Sequence, residues 1–405
     1  MSASTTTETR LLTPTMQAVL AAQFLSAFAD NALLIASIQL VKTLTGTDHM
    51  VPWLQAGFVL PFVLFAALVG PFADSQPKGR VMLIANAVKV VAGLVIAGCA
   101  LQNGASAWMV LAAYALAGVG AAIYSPAKYG ILTQLFGAQM LVKANGLMEA
   151  STIVAILTGV LAGAWLADHS LSGALVAITV SYAIAAGLTL LIPRLPAEHP
   201  LDHFNPGILL NDFIKALATL FREPWARLSL IGTSLFWGSG ATLRLLLFAW
   251  VPFALGYTDA QTPGNLMGAV SIGIVVGAAL AAKWVSLDTV GRALGGGLLL
   301  GLPVLLLAGV TNLWIAAGLL VVMGAAGGFF VVPLNAILQE RGHHSVGAGH
   351  AIAVQNFAEN LIMFLLASLY GGANTLLTPG QMVAGFGGLL LVSMVGLFVL
   401  RPRLA

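Results

Sequence analysis

Six ionisable residues, Asp30, Lys89, Lys128, Glu149, Arg244 and Glu359, stand inside apolar runs of a 405-residue chain that is 59% hydrophobic and only 8% charged. A charge at the centre of a membrane helix costs about 2.5–3.5 kcal/mol on insertion scales, so each needs a partner or an aqueous cavity. Three acidic and three basic residues permit internal pairing. The basic pair Lys128 and Arg244 would otherwise favour an anionic group on whatever binds there. Asp30 and Glu359 could accept hydrogen bonds or carry protons.

The elements that position these groups must be membrane helices. Ordinary soluble proteins are about 25% charged, and a surface of this size cannot be covered with so few charges. Apolar runs of about 20 residues recur along the chain, each long enough for a hydrocarbon core about 30 Å thick, where only helices satisfy the backbone. Gly, Pro, Asn and charges separate twelve spans, near 15–43, 52–73, 80–101, 107–136, 141–168, 171–192, 225–255, 262–284, 288–309, 312–340, 345–371 and 378–400. The expected fold class is an all-α membrane protein. The polar start MSASTTTETRLLTP lacks a cleavage pattern, so the first run is read as a span and not a removable signal. Cys99 is the only cysteine, which excludes an internal disulfide. No basic block with interleaved aromatics points to nucleic acid, and no cofactor or metal is implied.

Charge distribution sets the topology. Lys78, Arg80, Lys143, Arg194, Lys215, Arg222, Arg227, Lys283, Arg292 and Arg341 fall on the side of the termini, with Arg10, Arg401 and Arg403 at the ends; Lys42 is the exception opposite. The positive-inside rule then puts both termini in the cytoplasm. The longest loop, 193–224, lies at the midpoint between residues 1–192 and 225–405. In it Leu209, Phe213, Leu217 and Leu220 recur at helical spacing. An amphipathic helix on the cytoplasmic interface and a linker helix packed on the bundle ends both fit.

An offset of 207 residues aligns Gly70 with Gly277, Gly120 with Gly327 and Pro126 with Pro333. Two parallel six-helix halves around a midpoint loop make the architecture of the major facilitator superfamily, with its pathway between the halves. The segment GPFADSQPKGR supplies Gly70, Asp74, Gly79 and Arg80 of that superfamily's loop motif, with Pro77 and Lys78 lengthening it. Asp74 is expected to pair with neighbouring positive charge and latch the halves. In the second half Ala281 takes the acidic position. Pro126 and Pro333 each remove a backbone hydrogen bond and permit a gating bend.

In this architecture helices 1, 4, 7 and 10 line the cavity, which would expose Asp30, Lys128, Arg244 and Asn335. Lys89 is expected to snorkel as an anchor. Glu149 reads as a partner of Lys128 or as part of a gate. Asp30 and Arg244 read as ligands, as a salt bridge joining the halves, or as both. Glu359 lies in AVQNFAEN beside Gln355 and Asn360.

At QFLSAFADNALL, YSPAKYGIL, LVKANGLMEASTI, SLFWGSGATLR, GGFFVVPLNAILQERG and SVGAGHAIAVQNFAEN the chain resembles the bacterial lysophospholipid transporters of the major facilitator superfamily, along essentially its whole length. The resemblance implies a bacterial inner-membrane flippase. It would move lysophosphatidylethanolamine and lysophosphatidylglycerol from the outer to the inner leaflet, with a separate cytoplasmic acyl-ACP synthetase/acyltransferase restoring the lost chain. Arg244 would hold the phosphate bidentately with Lys128 as a second charge. Asp30 or Glu359 would accept from an ethanolamine ammonium, and Asn31, Gln355 and Asn335 complete the expected substrate contacts. Lateral access from the lipid is expected, and one chain completes the pathway as a monomer.

Two other classes compete. A proton-coupled multidrug exporter would use Asp30 and Glu359 as proton carriers. An intramembrane lipid enzyme would need a nucleophile–base or metal constellation. His343 and His344 are adjacent in a loop, no His-x4-Asp pattern occurs, and Cys99 has no evident activator.

Overall fold

A computed structural model of the chain describes residues 10–46, 50–102, 105–198, 205–258, 261–373 and 376–401. Arg403 and residues 1–9, which entered the charge and signal arguments, lie outside the described residues, as does 199–204 of the midpoint loop. The described residues form helices and connecting turns without strands. In chain order the helices are α1 (Pro14–Thr45), α2 (Val51–Leu64), α3 (Ala66–Asp74), α4 (Lys78–Leu101), α5 (Ala107–Leu135), α6 (Ala138–His169) and α7 (Leu171–Thr189). They continue as α8 (Pro206–Arg222), α9 (Pro224–Leu255), α10 (Gln261–Trp284), α11 (Ala293–Leu307), α12 (Leu313–His343), α13 (Ala348–Ala373) and α14 (Pro379–Val399).

Local sequence sets the ends of these helices. Thr13 caps α1 by accepting from the Met16 amide at 3.2 Å, and Pro14 occupies the first turn, where no amide is needed. Gly46 ends the helix in the left-handed region, at φ 68°. Helix α9 repeats the pattern with a Glu223 cap, Pro224 and a left-handed Gly256. Among the described residues eleven helices are long and apolar enough to span a membrane, counting 287–307 as one, and α2 with α3, bent by 61°, makes up to twelve if the pair is taken as one span. The second expected span is therefore broken. Pro61 precedes the break and Pro71 follows it, and each lacks an amide. Pro126 and Pro333, by contrast, lie within uninterrupted α5 and α12.

Two compact units emerge. The first comprises residues 1–137, 154–217 and 342–356; the second comprises 138–153, 218–341 and 357–405. Helices α6, α8, α12 and α13 are thus each divided, at 153/154, 217/218, 341/342 and 356/357. Inside the first unit α1, α2, α4, α5 and α7 share a core around Leu33, Leu40, Leu54, Ile96, Tyr114 and Ile178. Inside the second unit α10 and α12 approach closely enough that a Cβ on Gly277 would overlap the Ala325 carbonyl. Close approach of small residues is how helices gain packing where lipid supplies no hydrophobic drive.

Helix α8 answers the question its pattern raised with two apolar faces. Leu209, Phe213, Ala216 and Leu220 are buried against protein. A second stripe, Leu210, Ile214 and Phe221, is exposed. Positions in these rows recur three, four or seven residues apart, one or two turns of the helix, so each row keeps to one face.

Candidate functional site

Asp30 sits one turn after Ser26 on α1, and α4 brings Asn86 and Lys89 against that pair. Lys89 donates to Asp30 Oδ2 at 2.7 Å and to Ser26 Oγ at 3.0 Å. Ser26 in turn donates to Asn86 Oδ1 at 2.7 Å. From α7, Tyr182 donates its hydroxyl to Asp30 Oδ1 at 2.8 Å. The ammonium also lies over two rings, 5.3 Å from the Tyr124 centroid and 5.7 Å from that of Tyr182. Lys89 is 1% exposed, whereas the Asp30 side chain keeps 17% of its surface.

This geometry corrects the expectation for Lys89. It does not snorkel to an interface; it is buried as the internal partner of Asp30. Gly120 makes the arrangement possible, because a Cβ there would stand 2.7 Å from both Lys89 Cγ and the Ala85 carbonyl. A side chain at 120 would close the channel through which the lysine passes under α5. The carboxylate oxygens of Asp30 are thus engaged by Lys89 and Tyr182, two residues of its own unit.

The other expected substrate contacts are distributed over several helices. Asn31 turns back on its own helix, donating to the Ala27 carbonyl at 2.8 Å. Lys128, half-buried on α5, places its ammonium 4.6 Å from the Tyr129 ring centroid. Gln355 and Glu359 are buried on α13. Arg244 is exposed on α9 and makes no hydrogen bond or ion pair among the described residues.

Asn335 is buried and donates to Glu149 Oε1 at 3.0 Å. One turn away on the same two helices, Asn145 and Gln339 form a reciprocal amide pair at 2.9 and 2.8 Å. Asn145 and Glu149 on α6, and Asn335 and Gln339 on α12, each stand four residues apart. The four side chains therefore make a two-rung polar ladder inside the second unit. Asn145 and Gln339 escaped the sequence reading, although the N-x3-E and N-x3-Q spacings carry the signal.

Asp74 anchors a second ionic cluster. Lys78 donates to its Oδ1 at 2.6 Å and to the Ala73 carbonyl at 3.0 Å. The Gly349 amide donates to Oδ1 at 2.7 Å and the His350 amide to Oδ2 at 3.0 Å, with His350 Nδ1 2.9 Å from Oδ2. Glu198 takes the neighbouring Ala348 amide at 3.2 Å and lies 3.7 Å from Lys78 Nζ. Gln134 and His343 approach its other oxygen at 3.2 and 3.5 Å. The first amides of α13 lack helical acceptors and carry the positive end of the helix dipole, so carboxylates are the groups they accept best. Arg80 of the motif is exposed and bonds Gln76 at 3.1 Å. Lys78, read as a loop extension, is the buried basic partner of Asp74. Glu198 and His350 were not foreseen either, and no periodicity in their segments marks them. Among the described residues no cluster of three His, Cys, Asp or Glu side chains could hold a metal.

Helices of this length and number define a polytopic membrane protein. The family model described as Major Facilitator Superfamily matches residues 19–368, and the chain is a member of that superfamily. Its similarity to solved structures agrees in fold. The human organic anion transporter MFSD10 superposes with a TM-score of 0.76 at 18% identity, covering 95% of this chain and 99% of that one. A bacterial homologue of the iron transporter ferroportin, in an outward-facing state, gives 0.73 at 16% identity, covering 96% and 98%. Sequence similarity is closer still to proteins named lysophospholipid transporter LplT. That of Pectobacterium carotovorum is 52% identical over 91% of this chain and 89% of its own length. That of Klebsiella pneumoniae is 49% identical over the full length of both. Within the superfamily, the chain belongs to the lysophospholipid transporter family.

Proposed function

We propose that this protein is a lysophospholipid flippase. It carries lysophosphatidylethanolamine and lysophosphatidylglycerol from the outer to the inner leaflet of a bacterial inner membrane by alternating access, the lipid entering laterally between helices. A separate cytoplasmic acyl-ACP synthetase/acyltransferase then restores the missing acyl chain. In this reading residues 1–192 and 225–405 are the two six-helix bundles, 193–224 is the linker, both termini are cytoplasmic, and a monomer suffices.

The observation that carries the reading is Arg244. A guanidinium well inside a span, exposed and without a partner among the described residues, calls for an anion supplied from outside. A phosphate monoanion matches its planar fork, and relatives about half identical over nearly the whole chain are named for a lipid that carries one. Charge-assisted hydrogen bonds are worth about 1.5–3 kcal/mol, so Arg244→Ala is expected to lower uptake roughly ten- to hundredfold. Arg244→Lys should retain part of it.

The test is reconstitution into liposomes with labelled lysophosphatidylethanolamine and a water-soluble quencher, with and without a proton gradient. Wild-type uptake that Arg244→Ala leaves unchanged removes the phosphate role. Gradient-driven extrusion of cationic drugs, without lysolipid movement, would put the multidrug exporter in its place.

A further inference from the structure

We propose that Lys89 is a resident ammonium that sets headgroup tolerance: by neutralising Asp30 from within, it lets the site accept a lipid whose headgroup brings no cation of its own. The inference rests on the lysophospholipid reading above and names the residue that admits anionic headgroups.

The surroundings of Lys89 Nζ form a complete site for a primary ammonium. Two acceptors, Asp30 Oδ2 and Ser26 Oγ, stand at 2.7 and 3.0 Å, and the rings of Tyr124 and Tyr182 cover it. Ethanolamine ends in the same chemical group. The protein thus already holds, tethered, the cation that lysophosphatidylethanolamine would bring and lysophosphatidylglycerol would not.

Asp30 can nevertheless meet a headgroup. Its side chain keeps 17% of its surface, and among the described residues its bonds are one to Lys89 and one to Tyr182. A carboxylate has about four acceptor positions, so roughly two remain for an ethanolamine ammonium or a glycerol hydroxyl. With Lys89 in place the carboxylate is compensated in every case: unloaded, facing ethanolamine, or facing glycerol. Without Lys89 it is compensated only by an ammonium on the lipid, and an anionic lipid without one would meet an unscreened negative charge. Lys89 itself is 1% exposed and acts through Asp30, so it is a positioning residue.

The experiment compares initial uptake of lysophosphatidylethanolamine and lysophosphatidylglycerol in the same liposomes for wild type, Lys89→Gln, Asp30→Asn and the charge-free double variant. Lys89→Gln is expected to depress lysophosphatidylglycerol uptake at least tenfold more than lysophosphatidylethanolamine uptake. Asp30→Asn, which leaves the lysine uncompensated, is expected to skew the ratio the other way. The double variant should return the ratio to within twofold of wild type. The opposed sign keeps the test decisive if one single variant fails to assemble, since the other still carries a required direction. Equal loss of both lipids, or a skew the double variant keeps, overturns the role of Lys89 while leaving the functional reading intact. A wild-type protein that moves neither lipid overturns the functional reading and this inference with it.

Discussion

Replacing Asp74 or Lys78 tests the ionic cluster quantitatively, because the structure predicts unequal costs for the two partners. Both side chains are 0% exposed and 2.6 Å apart. At an effective dielectric of 20 a pair at that separation attracts by about 6 kcal/mol before desolvation is subtracted. Breaking a buried pair from one side leaves about 3–5 kcal/mol of net loss in comparable cases. Asp74→Asn should reach that range. The new amide has one acceptor oxygen where the carboxylate met the Gly349 and His350 amides, His350 Nδ1 and Lys78. At least one donor is then set against an NH2 group. Lys78→Gln should cost less, roughly 1–3 kcal/mol, because Asp74 keeps both backbone donors and the imidazole. In the Asp74→Asn variant, Lys78 still has Glu198 at 3.7 Å, which limits the upper bound. The assay is reversible unfolding of purified protein in mixed micelles titrated with SDS, for both single variants and the double. Coupling of roughly 1–3 kcal/mol is expected from a pair in direct contact. Additive losses below about 1 kcal/mol each, or a lysine substitution costlier than the aspartate one, would refute the reasoning.

Two further substitutions follow from the same geometry. Asn145→Leu leaves the buried Gln339 amide without its reciprocal partner and should cost about 1–3 kcal/mol in the SDS titration, with the Asn145→Leu/Gln339→Leu double variant recovering part of that loss. Arg80→Ala, despite removing a motif residue, should shift stability by no more than about 0.5 kcal/mol and leave the Asp74 cluster assembled, because among the described residues Arg80 bonds only the nearby Gln76 at the surface.

The helices were legible in the sequence for a reason specific to lipid. With water excluded, backbone satisfaction leaves one local solution, so hydropathy alone places the spans. Departures arise where side chains, not backbone, decide. The bend at Phe65 falls between two prolines ten residues apart, and neither of them marks its position. Lys89 was misjudged because depth was counted along one helix, whereas its environment is made by Asp30, 59 residues earlier, and by the missing side chain of Gly120. Asp74 ends α3, and its partners on α13 lie some 275 residues away. No spacing rule reaches across that distance. The ladder of Asn145, Glu149, Asn335 and Gln339 was legible in principle, since four-residue spacing on two helices puts both pairs on facing stripes.

The same contacts bear on which group of the proposed site meets the lipid first. Were Asp30 to leave its partners in each cycle, both the 2.7 Å bond from Lys89 and the 2.8 Å bond from Tyr182 would have to be replaced. Withdrawing Asp30 would also strand a lysine that is almost wholly buried, at a cost comparable to breaking any buried pair, about 3–5 kcal/mol. On the proposed function, capture of the lipid phosphate by Arg244 carries no such penalty, because its guanidinium has no bond to give up among the described residues. A cycle of that kind would begin at the arginine, with the pair of Asp30 and Lys89 staying closed while the headgroup adds to the carboxylate's remaining face, and Arg244→Ala would then lower uptake before Lys89→Gln could alter its selectivity.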